Sequence, residues 1–238
     1  MKKSNISYLA LFLVLGGGLS SCHENCLTGK GEVIAHTQDI GAYSAIKLKV
    51  PATVYLEQNA SQEVKVEAQN NINDNLTFRI SEEVLIIDSK RCIGENKGIS
   101  IYLKTPTITK LTIEGSGNIN GQGIFNTDQL ELAVKGSGDI NVKANAGIVF
   151  AGIKGSGNIV VAGTAQKQYI KIDGSGNYNG SVLPTVKSDV YINGSGEASV
   201  HTIENLFVNI AGSGNVKYKG NPKVSSKIEG SGQLIRVD

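Results

Sequence analysis

Apolar and polar residues alternate along almost the whole chain: Ile46-Leu48-Val50, Val54-Leu56, Val64-Val66, Leu76-Phe78-Ile80, Leu85-Ile87 and Ile99-Ile101-Leu103 in the first half. A period of two places one side chain in a core and the next in water, which predicts half-buried strands. Breaks fall at Gly41, at Pro51, in Asn59-Ala60-Ser61, from Asn70 to Asn75 and from Gly94 to Gly98. Beyond residue 21 no stretch sustains a 3.6-residue period for a dozen residues, and β-branched residues dominate. The chain is therefore expected to be all-β.

From residue 111 onward the alternation is organised as a repeat. Gly-Ser-Gly occurs seven times, at Gly115/Gly117, Gly136/Gly138, Gly155/Gly157, Gly174/Gly176, Gly194/Gly196, Gly212/Gly214 and Gly230/Gly232, with spacings of 21, 19, 19, 20, 18 and 18 residues. Two residues before each triplet stands Ile113, Val134, Ile153, Ile172, Ile192, Ile210 or Ile228, always aliphatic and β-branched. After it come a mostly amide or acidic residue (Asn118, Asp139, Asn158, Asn177, Glu197, Asn215, Gln233) and then a mostly apolar one (Ile119, Ile140, Ile159, Tyr178, Ala198, Val216, Leu234). Each copy reads as strand, tight glycine corner, strand and looser connection.

Glycine suits such a corner because a sharp turn needs a residue at positive φ and stacked corners leave no room for Cβ atoms. All fourteen triplet glycines are therefore expected to be structural turn residues. A two-strand unit this short cannot bury its own apolar face, so the copies must stack. A β-solenoid of about 19 residues per coil is expected, and at ~4.8 Å per coil seven coils run to about 34 Å. An antiparallel meander with Gly-Ser-Gly as a hairpin loop is the rival arrangement. Residues 31–110 lack the triplet but keep the alternation. With no linker before residues 111–238, they are expected to be an irregular capping part of one continuous body. At the far end, Arg236 and Asp238 on the final strand are placed to discourage further pairing.

The amino-terminal segment differs. Lys2 and Lys3 precede an apolar run from Tyr8 to Leu15, which ends in three glycines and Leu19-Ser20-Ser21-Cys22. The run is shorter than the roughly 20 residues a membrane span needs and has the form of a secretory signal. Its last four residues resemble a bacterial lipobox, which makes residues 1–21 a lipoprotein signal peptide, Cys22 the acylated residue and residues 22–30 a tether. Ordinary signal cleavage nearby, with Cys22 a free or bridged thiol, is the alternative. The membrane is then a partner through the lipid anchor, and the expected location is the outer membrane, facing the periplasm or the outside.

Composition excludes several functions. Without residues 1–21 the chain carries 21 basic and 21 acidic residues. It has no basic run and few aromatic residues to stack on bases, so nucleic acid is not expected as a partner. Cys26 and Cys92 remain in a compartment where disulfides persist. A bridge between them closes a loop of about 66 residues, worth roughly 4 kcal/mol on the chain-entropy account. A reactive thiol or metal site lacks a CxxC or suitably spaced histidines.

The reactive inventory is thin. His23, His36 and His201 lie in three different parts of the chain and form no zinc-spaced cluster. Gly-Ser-Gly lacks the spacing of a nucleophile elbow, and seven equivalent copies point to geometry. No turn reads GxGxxG. Calcium-binding β-rolls need an acid in successive copies, whereas Asn prevails here; a ladder of stacked amides between coils, or plain exposure to water, accounts for the Asn column. Candidate carboxylate pairs for polysaccharide cleavage are Asp128 with Glu131, Asp139 with the next coil, and Glu82 with Glu83, none with an evident aromatic platform. No enzyme activity, cofactor or metal is expected.

The lipobox, the run from Gly41 through Ala45-Ile46-Lys47-Leu48 to Val54, and Leu-Thr-Ile-Glu-Gly-Ser-Gly-Asn-Ile at 111–119 resemble the head-GIN-domain family, described as "putative autotransporter adhesins". The resemblance spans about residues 31–238. It implies a superhelical β-fold of pectin-lyase-like shape without pectin lyase's catalytic residues, and an adhesive role at the surface of gram-negative cells. Where family members carry Gly after the first long strand, this chain has Val50-Pro51-Ala52. Three functions follow as expectations: a non-enzymatic lipoprotein adhesin binding a surface protein or glycan, a polysaccharide-binding or -degrading protein, and a periplasmic structural or regulatory partner.

Overall fold

The computed structural model describes residues 26–238; the signal segment and Cys22 lie outside the described residues. The architecture is a β-solenoid of about seven regular turns with ~19 residues per turn. Its long strands are β9 (Asn118–Gly136), β10 (Asp139–Gly155), β11 (Asn158–Gly174), β12 (Asn177–Gly194) and β13 (Glu197–Gly212), and neighbours pair in parallel. Parallel pairing of successive copies excludes the meander, whose hairpins would be antiparallel. Each strand runs from one Gly-Ser-Gly corner, along a departure face, around a looser bend and back along an approach face to the next corner. Inward residues such as Ile119, Leu132, Val134, Ile140 and Ile159 are completely buried, so one aliphatic core runs the length of the stack.

The two requirements expected of the corner glycines, positive φ and exclusion of Cβ, fall differently on the two glycines of each triplet. Gly115, Gly136, Gly155, Gly174, Gly194, Gly212 and Gly230, first in each triplet, have φ between +119° and +134° and make the turn. The second glycines, Gly117, Gly138, Gly157, Gly176, Gly196, Gly214 and Gly232, do not adopt positive φ. They are glycine because the coils approach too closely for a side chain. A Cβ on Gly117 would stand 2.6 Å from the carbonyl oxygen of Val50. On Gly138, Gly157, Gly176, Gly196, Gly214 or Gly232 it would collide with the carbonyl oxygen of the second glycine one coil below. That close approach is used, because the amides of Ser156 and Gly157 both donate to the carbonyl of Gly136, at 2.9 and 3.1 Å. The Asn column forms the expected ladder in part. Asn158 Nδ2 donates to Asp139 Oδ1 at 2.8 Å, and Asn177 Nδ2 donates to Asn158 Oδ1 at 2.9 Å.

The amino-terminal part is threaded out of sequence order. Strands β2 (Ala45–Leu48) and β3 (Thr53–Gln58) form the level beneath β8 (Lys110–Gly115) and β9. Their corner is Val50-Pro51-Ala52, where Gly-Ser-Gly stands one level up; it closes without glycine, the amide of Ala52 donating to the carbonyl of Val50 at 2.8 Å. Strands β6 (Val84–Ser89) and β7 (Ser100–Thr105) come later in the chain yet stack on the outer side of β2 and β3. Antiparallel strands then cover that end: β4 (Glu63–Gln69) on β7, β1 (Val33–Gln38) on β4, and β5 (Leu76–Ser81) on β6. A single helical turn, α1 (Asn70–Asn73), falls in a stretch read from sequence only as a break, and its Ile72 is fully buried.

The described part of the 22–30 stretch is fastened to this cap and is no free tether. Cys26 is bridged to Cys92, with Cα atoms 4.7 Å apart, and Leu27 pairs with Ile93 in an isolated bridge. The opposite end is built by β14 (Asn215–Lys219), β15 (Lys223–Gly230) and β16 (Gln233–Arg236); among the described residues β15 pairs only with β13 and β16 only with β14.

Candidate functional site

The approach face carries a stripe of aromatic side chains. Strand register aligns Glu131, Phe150, Tyr169, Asp189 and Phe207, each five residues before its triplet and each pointing away from the core. Tyr191 lies two residues further along its strand, in register with Lys171. Ring centroids are 6.2 Å apart for Phe150 and Tyr169, 5.2 Å for Tyr169 and Tyr191, and 5.5 Å for Tyr191 and Phe207. Phe150 and Tyr169 remain 37% and 38% exposed, so this apolar surface is accessible to a ligand. Burial first, then the neighbouring Tyr169 and the charge of Asp189, hold the Tyr191 hydroxyl above its ordinary pKa, so it stays a neutral donor at physiological pH.

Small residues beside the stripe create relief. Ala133 and Gly152 are in register and floor a trough of about 340 Å³ walled by Phe150, Tyr169, Glu131 and Lys171. Glu131 and Phe150 also line a second cleft of about 950 Å³, together with Thr107, Thr109, Lys110 and Asp128. The two depressions share Glu131 and Phe150 in their linings, which come from several coils. Two ion pairs lie at the margins: Lys110 with Glu131 at 2.8 Å, and Lys171 with Asp173 at 3.3 Å. Such a surface stacks an apolar ligand face on rings and offers carboxylate, ammonium and hydroxyl groups beside it.

The carboxylate pairs singled out from sequence are placed differently. Asp128 and Glu131 line the same cleft, and the Glu131 side does stand beside aromatic rings. The expectation that no candidate acid has an aromatic platform is corrected: the rings come from different coils and are gathered only by register. Asp139 instead accepts hydrogen bonds from Asn158, at 3.0 Å from its amide and 2.8 Å from its side chain. Glu82 and Glu83 form the β5–β6 turn at positive φ, where Glu83 accepts from the Ser44 hydroxyl at 3.0 Å. His36 lies on β1 and His201 on β13, while His23 is outside the described residues. The glycine corners form one edge of the solenoid, their backbone engaged between coils.

Sequence reasoning missed the stripe, although a signal was present. Counting back five residues from the seven triplets gives an aromatic residue at three of them, Phe150, Tyr169 and Phe207, an enrichment at a single outward position.

Comparison with known proteins agrees with the architecture. A structure from Bacteroides fragilis described as a "putative adhesin" superposes with a TM-score of 0.85 at 19% identity, covering 89% of this chain and 100% of the other. A "putative adhesin" from Parabacteroides distasonis gives a TM-score of 0.75 at 22% identity, covering 89% and 99%. A "putative lipid binding protein" from the same species gives 0.77 at 24% identity, again covering 89% and 99%. At these identities the likeness establishes the fold. No curated protein matches the sequence. Residues 42–222 match the family described as "Putative auto-transporter adhesin, head GIN domain", and a match over this share of the sequence establishes that the chain belongs to that family.

Proposed function

We propose that this protein is a non-enzymatic lipoprotein of the cell envelope, anchored through Cys22, that binds a surface protein or glycan along the approach face. The observation that carries the reading is the solvent-open stripe Phe150–Tyr169–Tyr191–Phe207 with its adjoining groove. Stacked coils hold the rings in fixed relation, so little order must be created when a ligand docks. Adhesin membership supports a binding role over catalysis.

Among ligands the groove favours a glycan, because rings flanked by Glu131, Lys110 and Lys171 suit the apolar faces and hydroxyls of a sugar chain. The test uses glycan arrays and intact target cells with Phe150→Ser/Tyr169→Ser. Loss of binding with an unchanged unfolding midpoint supports the site; undiminished binding overturns it. Release of reducing ends from a bound polysaccharide would instead favour the degrading reading. Protease shaving of intact cells, with a periplasmic control, tests location. Protection in intact cells but not in lysed ones would favour a periplasmic structural or regulatory partner.

A further inference from the structure

The two ends of the solenoid are finished differently. Antiparallel strands, a helical turn and a disulfide-held segment cover the amino-terminal end, whereas among the described residues β15 leaves one edge unpaired and is exposed along its whole length. Its core-facing residues Val224 and Ile228 are 41% and 39% exposed, although Leu206 and Ile210, in register one coil below, are 1% and 0% exposed. The backbone direction of this edge is fixed by the repeat. Glu131 turns its amide toward the preceding coil, donating to the carbonyl of Thr109 at 2.8 Å. Ser225 is in register with Glu131 through Phe150, Tyr169, Asp189 and Phe207 and faces back in the same way. The amides and carbonyls of Val224, Ser226 and Ile228 therefore point out of the free end.

We propose that β15 pairs antiparallel with β15 of a second copy of this chain, about a two-fold axis through Ser226. This register sets each outward-directed backbone group opposite its like: Ser226 against Ser226, and Val224 of one copy against Ile228 of the other. It also sets Lys223 of one copy against Glu229 of the other, twice by symmetry, and opposite charges directly across a sheet are favourable. The strand is thus self-complementary in hydrogen bonding, apolar contact and charge, as an isologous interface requires. Pairing is confined to β15, because β16 presents Arg236 at a core-facing position, above Tyr218. From β5 to β15 the approach face crosses nine strand spacings of about 4.8 Å, roughly 43 Å. With Leu27 fixed to Ile93 at the amino-terminal end, the joined pair carries its two Leu27–Ile93 bridges at opposite poles.

The test is made on the purified protein by sedimentation and by oxidative cross-linking, with the unsubstituted chain alongside. Ser226→Cys is expected to give a disulfide-linked dimer, since directly opposed residues lie about 5.5 Å apart. Ser225→Cys, opposite Lys227, is expected not to. Both positions are exposed, so neither variant threatens folding. Lys223→Glu should weaken dimerisation about tenfold, and adding Glu229→Lys should restore it. A chain that stays monomeric at its solubility limit, equal cross-linking at both positions, or indifference to the charge swap would each overturn the proposal. None of these readouts depends on the aromatic stripe or its ligand.

Discussion

The phenol of Tyr178 donates a 2.8 Å hydrogen bond to Oε1 of Gln168 inside the solenoid core. Other copies of the repeat place Ile119, Ile140 or Ile159 where Tyr178 stands, and a buried phenol needs a polar partner that those aliphatic residues do not. Gln168 supplies it and passes its own amide to the hydroxyls of Thr185 and Ser188, both at 3.0 Å. Ser188 is in turn 2.6 Å from the Thr202 hydroxyl, so one phenol is accommodated by a fully buried network across three coils. Ala198, in register one coil up, leaves room for the ring.

Tyr178→Phe removes the donor and leaves Oε1 of Gln168 buried without its partner. The expected loss is about 1–3 kcal/mol of unfolding free energy, measured by denaturant titration. An unchanged midpoint would contradict a dry, closed network.

Glycine substitutions should separate sharply by position. Gly157→Ala drives a methyl group against the Gly138 carbonyl and the Val134 side chain, and Gly155→Val adds a branched side chain at φ +127°. The first should cost about 3 kcal/mol or more, and the second should unfold the adjacent coils. Gly152→Ala meets nothing within 4 Å and should melt like the parent. Thermal melts of the three variants check the contrast, and a fully folded Gly155→Val would defeat the corner argument.

Cys26→Ser or Cys92→Ser should lower stability by up to roughly 4 kcal/mol, through the restored freedom of the unfolded chain. The loosened region should be the strap itself. Hydrogen exchange at Leu27 and Gly29, whose amides donate to Cys92 and Glu95, is expected to rise well before that of the long strands.

Acid should destabilise the fold modestly and in one direction. The hydrogen bond from Lys49, at 2.5 Å, holds the Asp88 carboxyl below its ordinary pKa. Lys135 chiefly, with Lys47 and Lys49, does the same for Glu114. A carboxylate lowered by folding stabilises above its unfolded pKa, and that contribution is lost as pH falls through the folded value. Stability is therefore expected to be flat near neutrality and to fall below about pH 4. Lys49→Met should reduce the fall by less than about 1 kcal/mol, because these pairs are partly solvated. Unfolding midpoints of the two proteins across the acid range check it.

Strands, coil length and glycine corners are legible in the order of residues alone. These depend on local rules, a period of two and glycine where a turn or a stacked carbonyl excludes Cβ, and Gly-Ser-Gly repeats those rules seven times. The rest follows from the folded chain, because it depends on which edges meet. Which glycine of each triplet turns the chain and which lies under a stacked carbonyl is read only from the coils as they stack. β6 and β7 slot outside β2 and β3 against chain order, and Val50-Pro51-Ala52 closes a corner without glycine. Phe150, Tyr169, Tyr191 and Phe207 are far apart in sequence, and it is parallel register, one coil over the next, that makes them a single surface.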